Sequence, residues 1–238
     1  MVSKGGLIYL KIIYEDNHLL VIEKPINIPV QEDASGDLDL VSMAKSYIKE
    51  KYNKPGNVYL GLIHRLDRPV GGIMVFAKTS KCASRLSDQL RQHKIRRKYL
   101  GITRGVPSKV HDYVTDYLYK DRRKNQVYVV DKNHKQGKVA HLTYDLLDST
   151  KDLALLRVEL HTGRSHQIRV QLANLGCPLY GDQKYGSHIN QVGEQIALWA
   201  YSLEFEHPTR KEKMVFKIAP PNTFPWSQFS KEIYKEKR

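Results

Sequence analysis

Five consecutive apolar residues, Ile73-Met74-Val75-Phe76-Ala77, constrain this chain more than any other segment. A short apolar run of this kind reads as a strand, and a strand apolar at every position has to be covered on both faces. Just before it lies a polar stretch, residues 64–72, which holds one carboxylate, Asp67, between Arg65 and Arg68. A second apolar strand is expected on the other side, at residues 58–63. The charged loop is therefore pinned at both ends by strands that belong in a core.

Periodicity extends the pattern. Further strands are expected at residues 7–14 and 19–23, with a turn at Glu15-Asp16-Asn17, and at 98–103, 113–119, 126–130, 139–147, 153–160, 196–205 and 213–218. Helices are expected at 38–52, ended by Asn53 and Pro55-Gly56, and at 79–93, with Ser80 as N-cap and Ala83, Leu86 and Leu90 as the apolar stripe. A third helix is expected at 164–175. It begins near Thr162-Gly163, carries Ile168, Leu172 and Leu175 on one face, and stops at Gly176 and Pro178. The charged tail, 231–238, is expected to fray. Many strands with few helices predict an α+β fold with a mixed, mainly antiparallel central sheet flanked by helices. At 238 residues the expectation is a single domain over 1–238.

Charge narrows the partner. Thirty-nine Lys and Arg against 25 Asp and Glu give +14, with a pI near 9.6. Such a field attracts polyanions, nucleic acid foremost. No GxGxxG or GxxxxGK[ST] occurs, which excludes the usual dinucleotide and nucleoside-triphosphate cradles. The two cysteines, Cys82 and Cys177, form neither a metal cluster nor a disulfide framework and suit a reducing cytoplasm. No apolar run is long enough for a membrane span, and the first residues lack the apolar region of a signal peptide.

Three segments could carry chemistry. In His64-Arg65-Leu66-Asp67-Arg68, guanidinium groups on each side favour an ionised Asp67, able to act as nucleophile or base. Taken alone, the quartet Arg65-Leu66-Asp67-Arg68 more often describes a solvated charged turn. In Thr162-Gly163-Arg164-Ser165-His166-Gln167-Ile168-Arg169, Arg164 stands where a strand passes into a helix, while His161 and His166 lack the spacing and third ligand of a metal site. The stretch Arg91-Gln92-His93-Lys94-Ile95-Arg96-Arg97-Lys98-Tyr99 is cationic at a helix end and a strand start and places an aromatic ring at the head of that strand, a combination suited to unpaired bases. Lys120, Arg122, Arg123 and Lys124 form a second basic cluster, fit for phosphate contact or plain solvation.

In this order, and with Leu19 to Pro25, Leu179-Tyr180-Gly181-Asp182 and Leu198-Trp199-Ala200, these segments resemble the RluA-type pseudouridine synthase family along nearly the whole chain. The resemblance implies that Asp67 is the catalytic aspartate, Arg164 its basic partner, Tyr99 the ring that packs on the target base and Ile168 the pocket floor. It implies that Arg65 holds the RNA around the flipped nucleotide, with His64, His166, Arg96, Arg97 and Lys98 as further RNA contacts. The expected substrate is rRNA or tRNA, the expected form a monomer, and no metal or cofactor is required. One departure stands out: where the family often reads Asp-x-x-Thr-Ser-Gly, this chain has Asp67-Arg68-Pro69-Val70-Gly71-Gly72. The family's small N-terminal RNA-binding module is also not expected here. A non-catalytic RNA-binding protein on the same scaffold is the alternative reading; a glycosidase or N-glycosylase would need a second carboxylate.

Overall fold

The computed structural model describes residues 10–234. Residues 7–9 of the first expected strand and 235–238 of the expected frayed tail lie outside the described residues. The chain forms two compact units. The first runs to Ile95 and takes in Leu203–Ile218; the second comprises Arg96–Ser202 and the segment from Ala219.

In the first unit, β1 (Lys11–Glu15) and β2 (Leu19–Lys24) form a hairpin, and β2 pairs antiparallel with β4 (Gly71–Ala77). All seven residues of β4 are buried, as its unbroken apolar run demands. Leu19, Val21, Ile73 and Val75 join Leu86, Leu203 and Phe205 in one core cluster. The strand expected at 58–63 contracts to β3 (Gly61–Leu62), which pairs with the end of β4; Val58, Leu60 and Ile63 are buried without extending the ladder.

Helix α1 (Leu40–Lys51) buries Leu40, Met43, Ala44 and Ile48, a stripe at helical spacing, and Asp39 caps it by accepting the Ser42 N–H at 3.1 Å. Helix α2 (Ser80–Arg91) is capped by Thr79, not by Ser80: the Thr79 hydroxyl accepts the Cys82 N–H at 3.2 Å. Thr79 has the extended backbone a cap requires, while Ser80 is already helical.

The second unit holds β5 (Arg96–Arg104), β6 (His111–Asp121), β7 (Gln126–Val130), β8 (Lys138–Ser149) and β9 (Leu153–Leu160). The pairs β5–β9, β9–β8, β8–β6 and β6–β7 are all antiparallel, so this is the sheet that sequence alternation predicts. Helix α3 is Gln167–Asn174, three residues shorter at its start than apolar spacing suggests. Two strands, β10 (Leu198–Glu206) and β11 (Lys213–Lys217), and two short 3-10 helices, Trp226–Gln228 and Lys231–Tyr234, complete the described fold; the second helix occupies the start of the tail expected to fray. Among the described residues no helix is long and apolar enough to cross a membrane.

A buried carboxylate staples the first unit. Glu15 accepts from Lys51 and Lys78 at 2.7 Å, from Tyr52 at 2.7 Å and from Tyr47 at 2.8 Å, joining β1 to α1 and to the end of β4. Burial alone would raise its pKa, but these donors win and hold it down to about 2. A carboxylate depressed from 4.5 to about 2 contributes stability that is complete above 4.5 and lost as pH falls toward 2. The contribution is on the order of 2–3 kcal/mol. The Glu15→Gln variant should therefore be less stable at neutral pH and show a shallower acid limb between pH 4.5 and 2 in urea titrations. An acid limb as steep as that of the parent protein would remove Glu15 from this role.

Candidate active site

Asp67 stands at the first position of a four-residue turn, closed by the Val70 N–H donating to the Asp67 carbonyl at 3.0 Å. The side chain is half-buried. Below the turn lies Lys24, the last residue of β2, with no exposed surface. Its Nζ donates to the carbonyls of Pro25 and Arg68 at 2.9 Å and of Val70 at 2.8 Å. Burial pushes the Lys24 amine down to about 7, with the Asp67 carboxylate pulling it up and the Arg68 guanidinium pushing it further down. Three carbonyl acceptors call for three N–H donors, and only the protonated amine has three. The turn that carries Asp67 is thus fixed at two of its carbonyls by a buried cation.

Lys24 thus adds a charge near Asp67 that the flanking arginines do not announce. Arg68 is committed elsewhere: it pairs with Asp37, donates to Ser35 Oγ at 2.9 Å and to the Asn27 carbonyl at 3.2 Å, and lies 3.4 Å from Asp33. It ties the turn to the 27–37 loop. Arg65 is exposed, 3.5 Å from Gln31 Oε1. His64, expected at the RNA, is instead buried, its Nε2 accepting the Val75 N–H at 3.3 Å. The apolar residues on either side, Ile63 and Leu66, carry it into the core, where it braces the loop against β4. The hydroxyl pair missing after Asp67 is replaced by a turn with Arg68 and Pro69 at its corner.

The second unit builds the other signature. Arg164, Ser165 and His166 precede α3 rather than forming its first turn, because the Gln167 side chain organises the chain before the helix begins. Gln167 Oε1 accepts the Arg164 N–H at 3.0 Å and the Thr162 hydroxyl at 2.8 Å, and Nε2 donates to the His141 carbonyl at 3.0 Å. His166 sits in the left-handed region at φ 51°, its Nδ1 2.6 Å from the Tyr185 hydroxyl. Arg164 is exposed and its Nε donates to the Val139 carbonyl at 3.0 Å. Arg97, expected to meet RNA, is half-buried and spent on this same turn. It donates to the Thr162 carbonyl at 3.4 Å, and its Nη1 would lie 3.0 Å from any Cβ at residue 163, so Gly163 leaves room for the guanidinium.

Behind α3, Arg169 and Asp182 form a buried bidentate pair, both bonds 2.8 Å. Gly181, at φ +74°, makes the approach possible: a Cβ there would fall 2.4 Å from the Gln195 carbonyl oxygen. Tyr99 is buried in β5 opposite Val158, and Ile168 is buried in α3. Arg96 is exposed and paired with Glu159 at 2.9 Å; Lys98 is half-buried. Asp67, Arg65 and His64 thus belong to the first unit, and Arg96 to Tyr99, Arg164, His166 and Ile168 to the second.

Lys24 is the site residue that sequence reasoning passed over. The available signal was a lysine ending an apolar strand, Leu19-Leu20-Val21-Ile22, where a charge demands a buried partner. Removing its charge while keeping its bulk, in Lys24→Met, leaves the Pro25, Arg68 and Val70 carbonyls without their donor. The expected loss of stability is about 3 kcal/mol or more. Turnover per folded molecule should fall roughly 10²-fold, because the turn is no longer fixed. Urea unfolding and single-turnover assays check both; a variant within about 1 kcal/mol of the parent would show that these carbonyls find other donors.

Residues 18–174 match the family described as RNA pseudouridylate synthase. An uncharacterised RNA pseudouridine synthase of Aquifex aeolicus is 35% identical over 231 residues, covering 90% of this chain and 71% of that protein. The ribosomal large subunit pseudouridine synthase D of Pseudomonas aeruginosa is 34% identical over 234 residues, with 92% and 71% covered. Among solved structures, human RNA pseudouridylate synthase domain containing 4 superposes with a TM-score of 0.75 at 26% identity, covering 91% of each chain. The chain therefore belongs to the RNA pseudouridine synthase family, isomerases that act on uridine in RNA.

Proposed function

We propose that Asp67 is the catalytic group and that the chain isomerises particular uridines of ribosomal RNA, transfer RNA being the alternative substrate. The observation that carries the reading is the Asp67 turn itself: a half-buried carboxylate on a backbone held by buried Lys24, in a chain of net charge +14. The large-subunit enzyme of Pseudomonas aeruginosa among the relatives supports ribosomal RNA.

The reaction breaks the uracil N1–C1′ bond, turns the base and rejoins it to C1′ through C5; the C5 proton leaves and N1 gains one. A stacked uridine has to be everted first, and packing on Tyr99 and Ile168 offsets part of that cost, about 1–3 kcal/mol for an aromatic contact. Asp67 then attacks C1′, adds to C6 or takes the C2′ proton. Arg164, the family's basic partner for this aspartate, orients the carboxylate through charge-assisted hydrogen bonds. Arg65 holds the strand around the everted nucleotide. No metal or cofactor enters, and the enzyme acts as a cytoplasmic monomer.

The Asp67→Asn variant should bind RNA as the parent does and lose turnover roughly 10⁴-fold or more, about 5.5 kcal/mol of barrier. Tritium release from RNA labelled at uracil C5 measures this. Residual activity within about tenfold of the parent would sink the assignment. Free uracil among the products would turn the reading toward an N-glycosylase. Comparing pseudouridine maps of ribosomal and transfer RNA from cells with and without the protein separates the two substrates.

A further inference from the structure

The sheet of the second unit has a solvent-facing side whose rings none of the roles above uses. Along β6, β8 and β9 alternate residues, Val114, Leu118, Ala140, Leu142 and Val158, turn into the core, and the residues between them turn outward. On the outward side Tyr113, 54% exposed, stacks on His141 with ring centroids 5.5 Å apart and planes at 29°. It also lies 5.4 Å from His161 at 31°. Each imidazole is held by a neighbouring hydroxyl: Thr115 Oγ1 at 2.9 Å from His141 Nδ1, and Thr143 Oγ1 at 3.0 Å from His161 Nε2. Three flat rings, from β6, from β8 and from the residue that follows β9, are thus held nearly parallel while Tyr113 stays open to solvent.

The pattern continues across the sheet. Tyr117 and Tyr119 flank inward-facing Leu118, Tyr128 of β7 is opposite Tyr119, and His134 lies 5.0 Å from the Tyr119 ring. Cations stand at both ends. Lys132 and Lys135 are exposed in the loop that carries His134, and Lys98, opposite Glu159, reaches the same side from β5 with Arg96 two residues before it. Two of the acids on this side are paired, Glu159 with Arg96 at 2.9 Å and Asp145 with Arg157 at 2.9 Å and His111 at 2.7 Å, while Asp121 and Asp131 accept backbone N–H groups of their own turns. Ordered, uncovered rings with positive charge at each end complement a strand that offers bare base faces and phosphates. A duplex keeps its base faces stacked and cannot use them.

We propose that this side of the sheet is an accessory surface for single-stranded RNA. Unpaired bases of the substrate stack on the Tyr113–His141–His161 platform, and Lys98, Lys132 and Lys135 meet the phosphates. The proposal rests on RNA being the substrate but not on Asp67 being the catalyst.

The test uses the full chain and a fluorescent oligoadenylate of about twelve residues, which offers the active site no uridine. The double variant Tyr113→Ala/His161→Ala should bind it roughly tenfold or more weakly, with an unchanged salt dependence. Tyr113→Phe, which keeps the ring, should bind like the parent. Lys132→Gln/Lys135→Gln should instead flatten the plot of log affinity against log salt by about 1.4, close to 0.7 for each phosphate that is no longer neutralised. On unstructured uridine-containing RNA, the ring variants should raise KM and leave kcat unchanged. Affinity within twofold of the parent in a double variant that melts at the parent's temperature would overturn the proposal. So would a self-association that the double variant abolishes while oligoadenylate binding persists. Failure of the catalytic reading appears elsewhere, as tritium release by Asp67→Asn, and does not move these binding constants.

Discussion

The Asp67 turn depends on a positive charge that has no contact with water. Desolvating an ammonium costs several kcal/mol, which a single hydrogen bond cannot offset. Three carbonyl acceptors and the nearby Asp67 carboxylate offset part of that cost for Lys24, whose amine still lies at about 7. Because all three acceptors are needed, the arrangement tolerates little movement. If the turn opened, the Arg68 and Val70 carbonyls would leave the ammonium, and a charge would be stranded in the core. Rigidity of the carboxylate-bearing loop thus follows from the energetics of burying Lys24, and Arg68 completes it from outside through Asp33, Asp37 and Ser35.

The second unit solves a parallel problem with related parts. The turn before α3 is closed by one long backbone bond, the Gln167 N–H donating to the Arg164 carbonyl at 3.3 Å, and side chains supply the rest: Gln167 from the helix and Arg97 from β5. Arg169 and Asp182, buried and bidentate, anchor the helix those groups lead into. The cations that shape backbone are buried or half-buried, whereas Arg65 and Arg164 are exposed.

How legible this was in the sequence follows from how local each signal is. The unbroken apolar run at 73–77 and the alternation from Arg96 to Leu160 reflect burial, and burial is what periodicity reports. The caps and helix starts were less legible. Thr79 and Ser80 are chemically equivalent candidates, and only backbone geometry separates them. The start of α3 is set by Gln167 reaching back to Thr162 and across to the His141 carbonyl, a contact between residues far apart in the chain. At the site, the motif around Asp67 was readable, but its electrostatic surroundings were not. Adjacency in sequence suggested Arg65 and Arg68, yet the charge beneath the turn comes from Lys24, more than forty residues earlier. His64 and Arg97 also make bonds that sequence adjacency does not announce, His64 to the Val75 N–H and Arg97 to the Thr162 carbonyl.

A carboxylate that works beside RNA, the role proposed for Asp67, faces a difficulty that this division of cations answers. Phosphates crowd any groove that binds the substrate, and they compete for every exposed guanidinium or ammonium. A loop held in place by surface ion pairs alone would loosen as substrate arrived, when its geometry matters most. Exposed pairs are also weak, about 0–1 kcal/mol, and are screened by salt. Lys24 is beyond the reach of phosphate because it has no exposed surface, so RNA binding cannot recruit it away from the turn. Arg68, with its side chain 40% exposed, is open to such competition, but the bonds from Lys24 to the Arg68 and Val70 carbonyls persist when Arg68 changes partner. In this chain the innermost charge that steadies the turn is separated by burial from the charge that attracts the polyanion.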